Sequence, residues 1–273
     1  IALQGIKSKG SILKNVIFDG GSGAIVDQIY YTSMLSLHDT KNVKLSNIIL
    51  RNNHIYDDSL HLVYCDNIEL DNIVINNAFG DALDIDISKN IIISNSKFIN
   101  PVNDGIDLME SEVLIDASIV KSAGDKGISA GENSNLLLYN SKITKNIIGI
   151  AVKDKSSVKA IYTTFDSNNS HINAYQKNFQ YGDGGSIEIY KSFFKSPDNK
   201  FSADKKSNIL IEDTSFNKVI NSNNKRIILS ENNNYTGKRN THEYLNMLIK
   251  HPLFPKINDL NNKKIRGYTS VIN

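Results

Sequence analysis

The sequence predicts an all-β fold: a single-stranded right-handed parallel β-helix with a short C-terminal helical cap. Three observations carry this. An apolar residue recurs at Leu60, Leu83, Ile106, Ile128, Ile150 and Ile172, at intervals of 23, 23, 22, 22 and 22 residues. Two positions after each comes a second apolar or small residue: Leu62, Ile85, Leu108, Ala130, Val152 and Ala174. That alternation is the mark of a half-buried strand. No helical pattern separates the copies, and a strand recurring at this period is the signature of a solenoid. Parallel crossovers are right-handed, which sets the hand.

The elements follow in order. A looser coil with Leu35 and Leu37 (SMLSLHDT) precedes the regular region, which runs from about Val43 to Ala174. A second repeating strand starts at Val43, Ile68, Ile91, Val113, Leu136 and Val158. Four residues into it stand Asn47, Asn72, Asn95 and Asn140, with Ala117 and Tyr162 breaking the series. Asn tolerates the left-handed backbone of a sharp corner, and stacked Asn amides can bond from coil to coil. Residues 175–185 (YQKNFQYGDGG) read as an insertion that lengthens one coil. Later coils are visible in IEIYKSFF and ILIEDTSF. Thr241 is an N-cap candidate with Tyr244, Leu245 and Leu248 on one helical face. The expected organisation is a β-helix of about nine to ten coils over 1–240 and a capping helix with an extended tail over 241–273.

Bulk properties narrow the partners. Charged residues make up 22% of the 273 residues and the net charge is +2, so nucleic acid and anionic membranes are not default partners. No apolar run approaches the roughly 18 residues of a membrane span. Cys65 is the single cysteine, which excludes an internal disulfide. The chain starts at Ile1 with no visible signal peptide, which reads as a mature form or an excised fragment.

The stretches NDGIDLMES, GDKGISAGENS, GIAVKDKS and AYQKNFQYGDGG resemble right-handed parallel β-helix proteins of the pectate-lyase-like superfamily. Within it they are most similar to bacterial β-helix repeat domains of surface and exopolysaccharide-associated proteins. The resemblance spans roughly residues 40 to 190. It implies a secreted or cell-surface protein that binds or cleaves an acidic polysaccharide, as a lyase, hydrolase or epimerase. No single catalytic signature of that superfamily is matched residue by residue.

Stacking turns the repeat into a surface map, because equivalent residues lie about 4.8 Å apart. The position after the marker reads His61, Asp84, Asp107, Ser129, Ala151, Asn173. Two before it come Asp58, Asp81, Asp104, Lys126, Ile148, Ser170. Further along lie Asp86, Glu110 and Glu132, with Lys126 and Lys153 at the edge. Two charges at that spacing repel by roughly 3 kcal/mol at an effective dielectric of about 20. Something must compensate: a cation, a lysine, raised pKa values or full hydration. An oxygen-only set suits Ca²⁺, so Asp81, Asp84, Asp104 and Asp107 are the expected metal ligands. Without a Cys/His cluster, zinc is disfavoured.

In lyases of the resembling fold, Ca²⁺ neutralises a uronate carboxylate while Lys or Arg removes the neighbouring proton. The resemblance therefore implies Lys126 or Lys153 as base. Nearby carboxylates should raise both lysines' pKa values, which works against that role. His61, Glu110, Glu132, Tyr175 and Lys177 are the expected substrate contacts, and Tyr64, Tyr175 and Tyr181 offer stacking faces. His61 and His38 share a face one coil apart, and solvent exposure is the default for both. GDGG at 182–185 reads as a turn, since no helix follows it. Two alternatives stand beside the lyase. One is a non-catalytic carbohydrate-binding or scaffold module. The other is a hydrolase or epimerase using Asp84 or Asp104 with Asp107.

Overall fold

The computed structural model describes residues 1–198, 200–218 and 222–234. Its backbone winds into a parallel β-solenoid with two long sheets. The first sheet holds nine parallel strands, in spatial order Ala2–Gln4, Ser33–His38, Asp58–Val63, Leu83–Asp86, Ile106–Met109, Lys126–Gly131, Ile148–Lys153, Ser170–Tyr175 and Phe201–Ala203. The predicted register holds throughout. Leu60 pairs with Leu83, Leu83 with Ile106, Ile106 with Ile128, Ile128 with Ile150, and Ile150 with Ile172. All six are fully buried.

The second sheet has sixteen strands and carries the other repeat. Ile68, Ile91, Val113, Leu136 and Val158 stack in register. The sheet bends where the corner residues lie. Asn47, Asn72, Asn95, Ala117, Asn140 and Tyr162 all have φ between 44° and 55°. The side-chain ladder is partial: Asn47 donates to Asn15 at 2.8 Å and Asn72 to Asn47 at 2.9 Å, but Asn95 turns to Asp71 at 2.6 Å. Past the corner, hydroxyls take over. The amides of Ile73, Ser96 and Ser118 donate to the hydroxyls of Ser96, Ser118 and Ser141, each at 3.0–3.1 Å. These buried serines thus satisfy backbone groups that the bend withdraws from the sheet.

The coil around Leu35 and Leu37 is fully regular rather than loose, and pairs on both sides. A further coil precedes it, formed by Ala2–Gln4 and Ile12–Asp19. An antiparallel hairpin, Ala24–Val26 with Ile29–Tyr31, separates the two. Towards the other end, Phe165, Phe194 and Phe216 stack face to face at 4.6 and 5.0 Å. The helical cap expected at Thr241–Leu248, and the whole of 241–273, lie outside the described residues. Among the described residues, no helix is long and apolar enough to cross a membrane.

Candidate functional site

The outward face of the first sheet gathers the polar columns. The chain gives this face a wall at each end of the acidic strip. At one end the hairpin leads into Thr32, whose hydroxyl lies 3.2 Å from an Asp58 oxygen and 3.0 Å from His61 Nδ1. Beside it, the His38 ring meets Tyr31 at 4.8 Å and His61 at 5.3 Å. At the other end, the 176–185 insertion folds back as a strap. Asp154, fully buried, accepts the amides of Lys177 and Asn178 at 2.7 and 2.8 Å. The Tyr181 hydroxyl then donates to Glu110 at 3.2 Å, three coils back.

Between the walls, Asp84 and Asp107 are register neighbours on adjacent strands, both half-buried and facing outward. His61 is the next residue of that column. Its Nε2 lies 3.3 Å from Asp86 and 3.7 Å from Asp84. Both histidines expected at the surface are buried, at 8% exposure for His61 and 9% for His38, because the hairpin covers them.

The Asp58–Asp81–Asp104 column has a structural duty. Asp81 accepts the Asp104 amide at 2.7 Å, and Asp104 accepts the Lys126 amide at 2.8 Å. Asp58 takes a backbone bond from Asp81 in the same way. Each carboxylate therefore caps the backbone of the next coil at the strand entrance. Burial comes first in raising all three, to about 8 for Asp58, about 7 for Asp81 and about 6 for Asp104. The charge of Lys126 restrains Asp104 most. Burial, then the charges of Asp86, Asp58, Asp107 and Asp81, push Asp84 up to about 9. Raised carboxyl pKa values are thus one form the compensation for stacked charge takes.

Lysine is the other form. Lys126 forms ion pairs with Asp104, at 3.4 Å, and with Asp125. Burial lowers its pKa, but the bond it donates to Asp125 and the charges of Asp104 and Asp125 outweigh it, so the net shift is upward. A lysine held charged is a poor proton acceptor and a good anchor for an anion. Lys153 departs further from expectation. It is 3% exposed, with the end of its chain laid over Gly131 of the neighbouring strand and its charge acting on Glu132. Tyr175, half-buried, sits within the field of Lys126, and Lys177 is exposed on the strap near Glu132.

The four aspartates expected to bind Ca²⁺ do not form one oxygen cage. Asp58, Asp81 and Asp104 are all buried and each commits one carboxylate oxygen to the next coil, which leaves each a second oxygen. The convergence lies elsewhere: one ligand atom each from Asp58, His61 and Asp84 lie within 4.8 Å of one another. Of the expected ligands only Asp84 belongs to this set. Asp58 stands in the same sequence column as Asp81 and Asp104, so that column pointed to it. Thr32 carried no signal, because its place depends on the hairpin.

The family described as a right handed beta helix region matches residues 34–242. The chain belongs to this family. No curated protein sequence matches it. Among solved structures, an alginate lyase from Paenibacillus sp. str. FPU-7 superposes with a TM-score of 0.57 at 11% identity, over 81% of this chain and 77% of that one. PfbA, a surface adhesin of Streptococcus pneumoniae, gives 0.52 at 12% identity, over 82% and 74%. The periplasmic alginate epimerase AlgG gives 0.50 at 14% identity, over 82% of this chain and 48% of that one. At such identities the likeness is one of fold.

Proposed function

We propose that this β-helix protein acts on an acidic polysaccharide laid across the strands of the first sheet, between hairpin and strap. The reading we favour is cleavage of a uronate-containing chain by β-elimination, in a secreted or cell-surface setting. The observation that carries it is Asp107. Its carboxylate is half-buried and outward-facing, beside Asp84 on one strand and next to the coil that brings Lys126 to the strand entrance. Lys126, held charged, anchors a uronate carboxylate. Burial keeps Asp81 and Asp104 largely uncharged until pH about 7 and about 6, which reduces repulsion of an anionic chain. Asp107 takes the proton alpha to the substrate carboxylate. The electron pair forms the new carbon–carbon double bond, and the glycosidic oxygen leaves with its sugar, keeping the pair of the broken bond and taking a proton from water. The lyase and epimerase among the structural neighbours agree with this substrate class.

A second reading rests on the same pair. Asp84 and Asp107, one strand apart and both facing the groove, are placed to act as the two carboxyl groups of a hydrolase. A third follows from the carboxylate ladder, whose structural role leaves fewer aspartates for chemistry: a binding module without turnover.

Product analysis separates them. The protein is incubated with a panel of uronate polysaccharides while ultraviolet absorbance and reducing ends are followed. The lyase reading expects both to rise together, and Asp107→Asn to lose at least about a hundredfold in rate. Reducing ends without unsaturation would favour the hydrolase. No cleavage across the panel would leave the binding module.

A further inference from the structure

We propose that Asp58, His61 and Asp84 form a site for one divalent transition-metal ion of the zinc class. Their ligand atoms lie within 4.8 Å of one another, with His61 Nε2 and Asp84 Oδ2 at 3.7 Å. Bonds of about 2.0–2.2 Å to a common ion need only a closing movement of about an ångström. Asp86, 3.3 Å from the same Nε2, adds a further carboxyl group beside the imidazole.

The imidazole is already oriented for this. His61 Nδ1 lies 3.0 Å from the Thr32 hydroxyl. With its proton on Nδ1, donated to that oxygen, the ring turns the Nε2 lone pair towards the carboxylates. Metal-binding histidines are held through the second nitrogen in this manner. A separate observation comes from His38. Its ring is packed edge-on against His61 and is nine-tenths buried, yet its Nε2 has no hydrogen-bond partner. An imidazole nitrogen left without a partner against the ring of a proposed ligand is costly to keep unless a ligand belongs there. The charge balance agrees. Among the described residues, Asp84 and Asp86 have ion pairs with His61 alone, and Lys126 is committed to Asp104 and Asp125.

The donor set selects the ion. One nitrogen with two or three carboxylates suits zinc-class ions, whereas Ca²⁺ needs six to eight oxygens. The site is independent of polysaccharide cleavage, because Asp107 is not part of it.

The test is calorimetric titration of the full, chelator-treated protein with Zn²⁺ and, separately, with Ca²⁺. We expect one Zn²⁺ per chain, bound at least about tenfold more tightly than Ca²⁺. His61→Gln and Asp84→Asn, checked for folding by circular dichroism, should each weaken Zn²⁺ by at least about tenfold. Asp84 is half-buried and outward, so that variant folds even where His61→Gln does not. Asp107→Asn should leave Zn²⁺ affinity unchanged while abolishing cleavage, which keeps the two proposals separable. No saturable Zn²⁺ binding, equal or tighter Ca²⁺ binding, or unchanged affinity in folded Asp84→Asn would overturn the site.

Discussion

At the scale of single residues, the main lesson is that one side chain can serve architecture and electrostatics together. Asp104 caps the Lys126 amide from a site 2% exposed to solvent. Burial raises its pKa from 3.8 to about 6. The folded state therefore binds more protons than the unfolded chain across that window. The sign follows: the contribution to stability is full below pH 3.8 and is lost as pH rises through about 6. Asn can keep the capping bond, as Asn146 does by accepting the Ala123 amide at 2.9 Å. Asp104→Asn should therefore lose less stability than wild type between pH 4 and pH 7. Denaturant midpoints at the two pH values check this, and an identical drop in both proteins would count against it. Such roles were only half legible in the sequence. The columns were readable because strand register follows the apolar marker. The direction of a capping carboxylate was not, because it depends on how the chain turns into the strand.

At the scale of elements, the repeat was legible wherever apolar positions kept their spacing, and was lost where an insertion broke it. The first coil escaped notice because the hairpin between it and Ser33–His38 shifts the period, and because Leu13 and Val16 are its only regular inward residues before Phe18. The strap was recognised as an insertion, but its fold-back was not. That fold-back covers Asp154, which reads as a surface residue in an isolated strand. The Phe165–Phe194–Phe216 stack shows how coils hold one another. Phe194→Ala would open a cavity between two rings and should cost about 3–5 kcal/mol. Each coil contacts only its neighbours, so the damage should be local. Hydrogen exchange should accelerate over residues 186–216 and stay unchanged over 60–110. Uniform acceleration along the chain would show that the solenoid unfolds as one unit.

For the described β-helix as a whole, one face holds the Asp58–Asp81–Asp104 column, the paired Lys126 and both walls, while the second sheet carries the corner ladders. This division is the basis for placing a ligand across the first sheet, and it holds whether the chain cleaves its ligand or only binds it. Hydrogen–deuterium exchange with and without a uronate oligosaccharide tests it most directly. Protection is expected in Asp58–Val63, Leu83–Asp86, Ile106–Met109, Lys126–Gly131 and the 176–185 strap, with the second sheet unchanged. Protection confined to the second sheet, or none at saturating oligosaccharide, would contradict it.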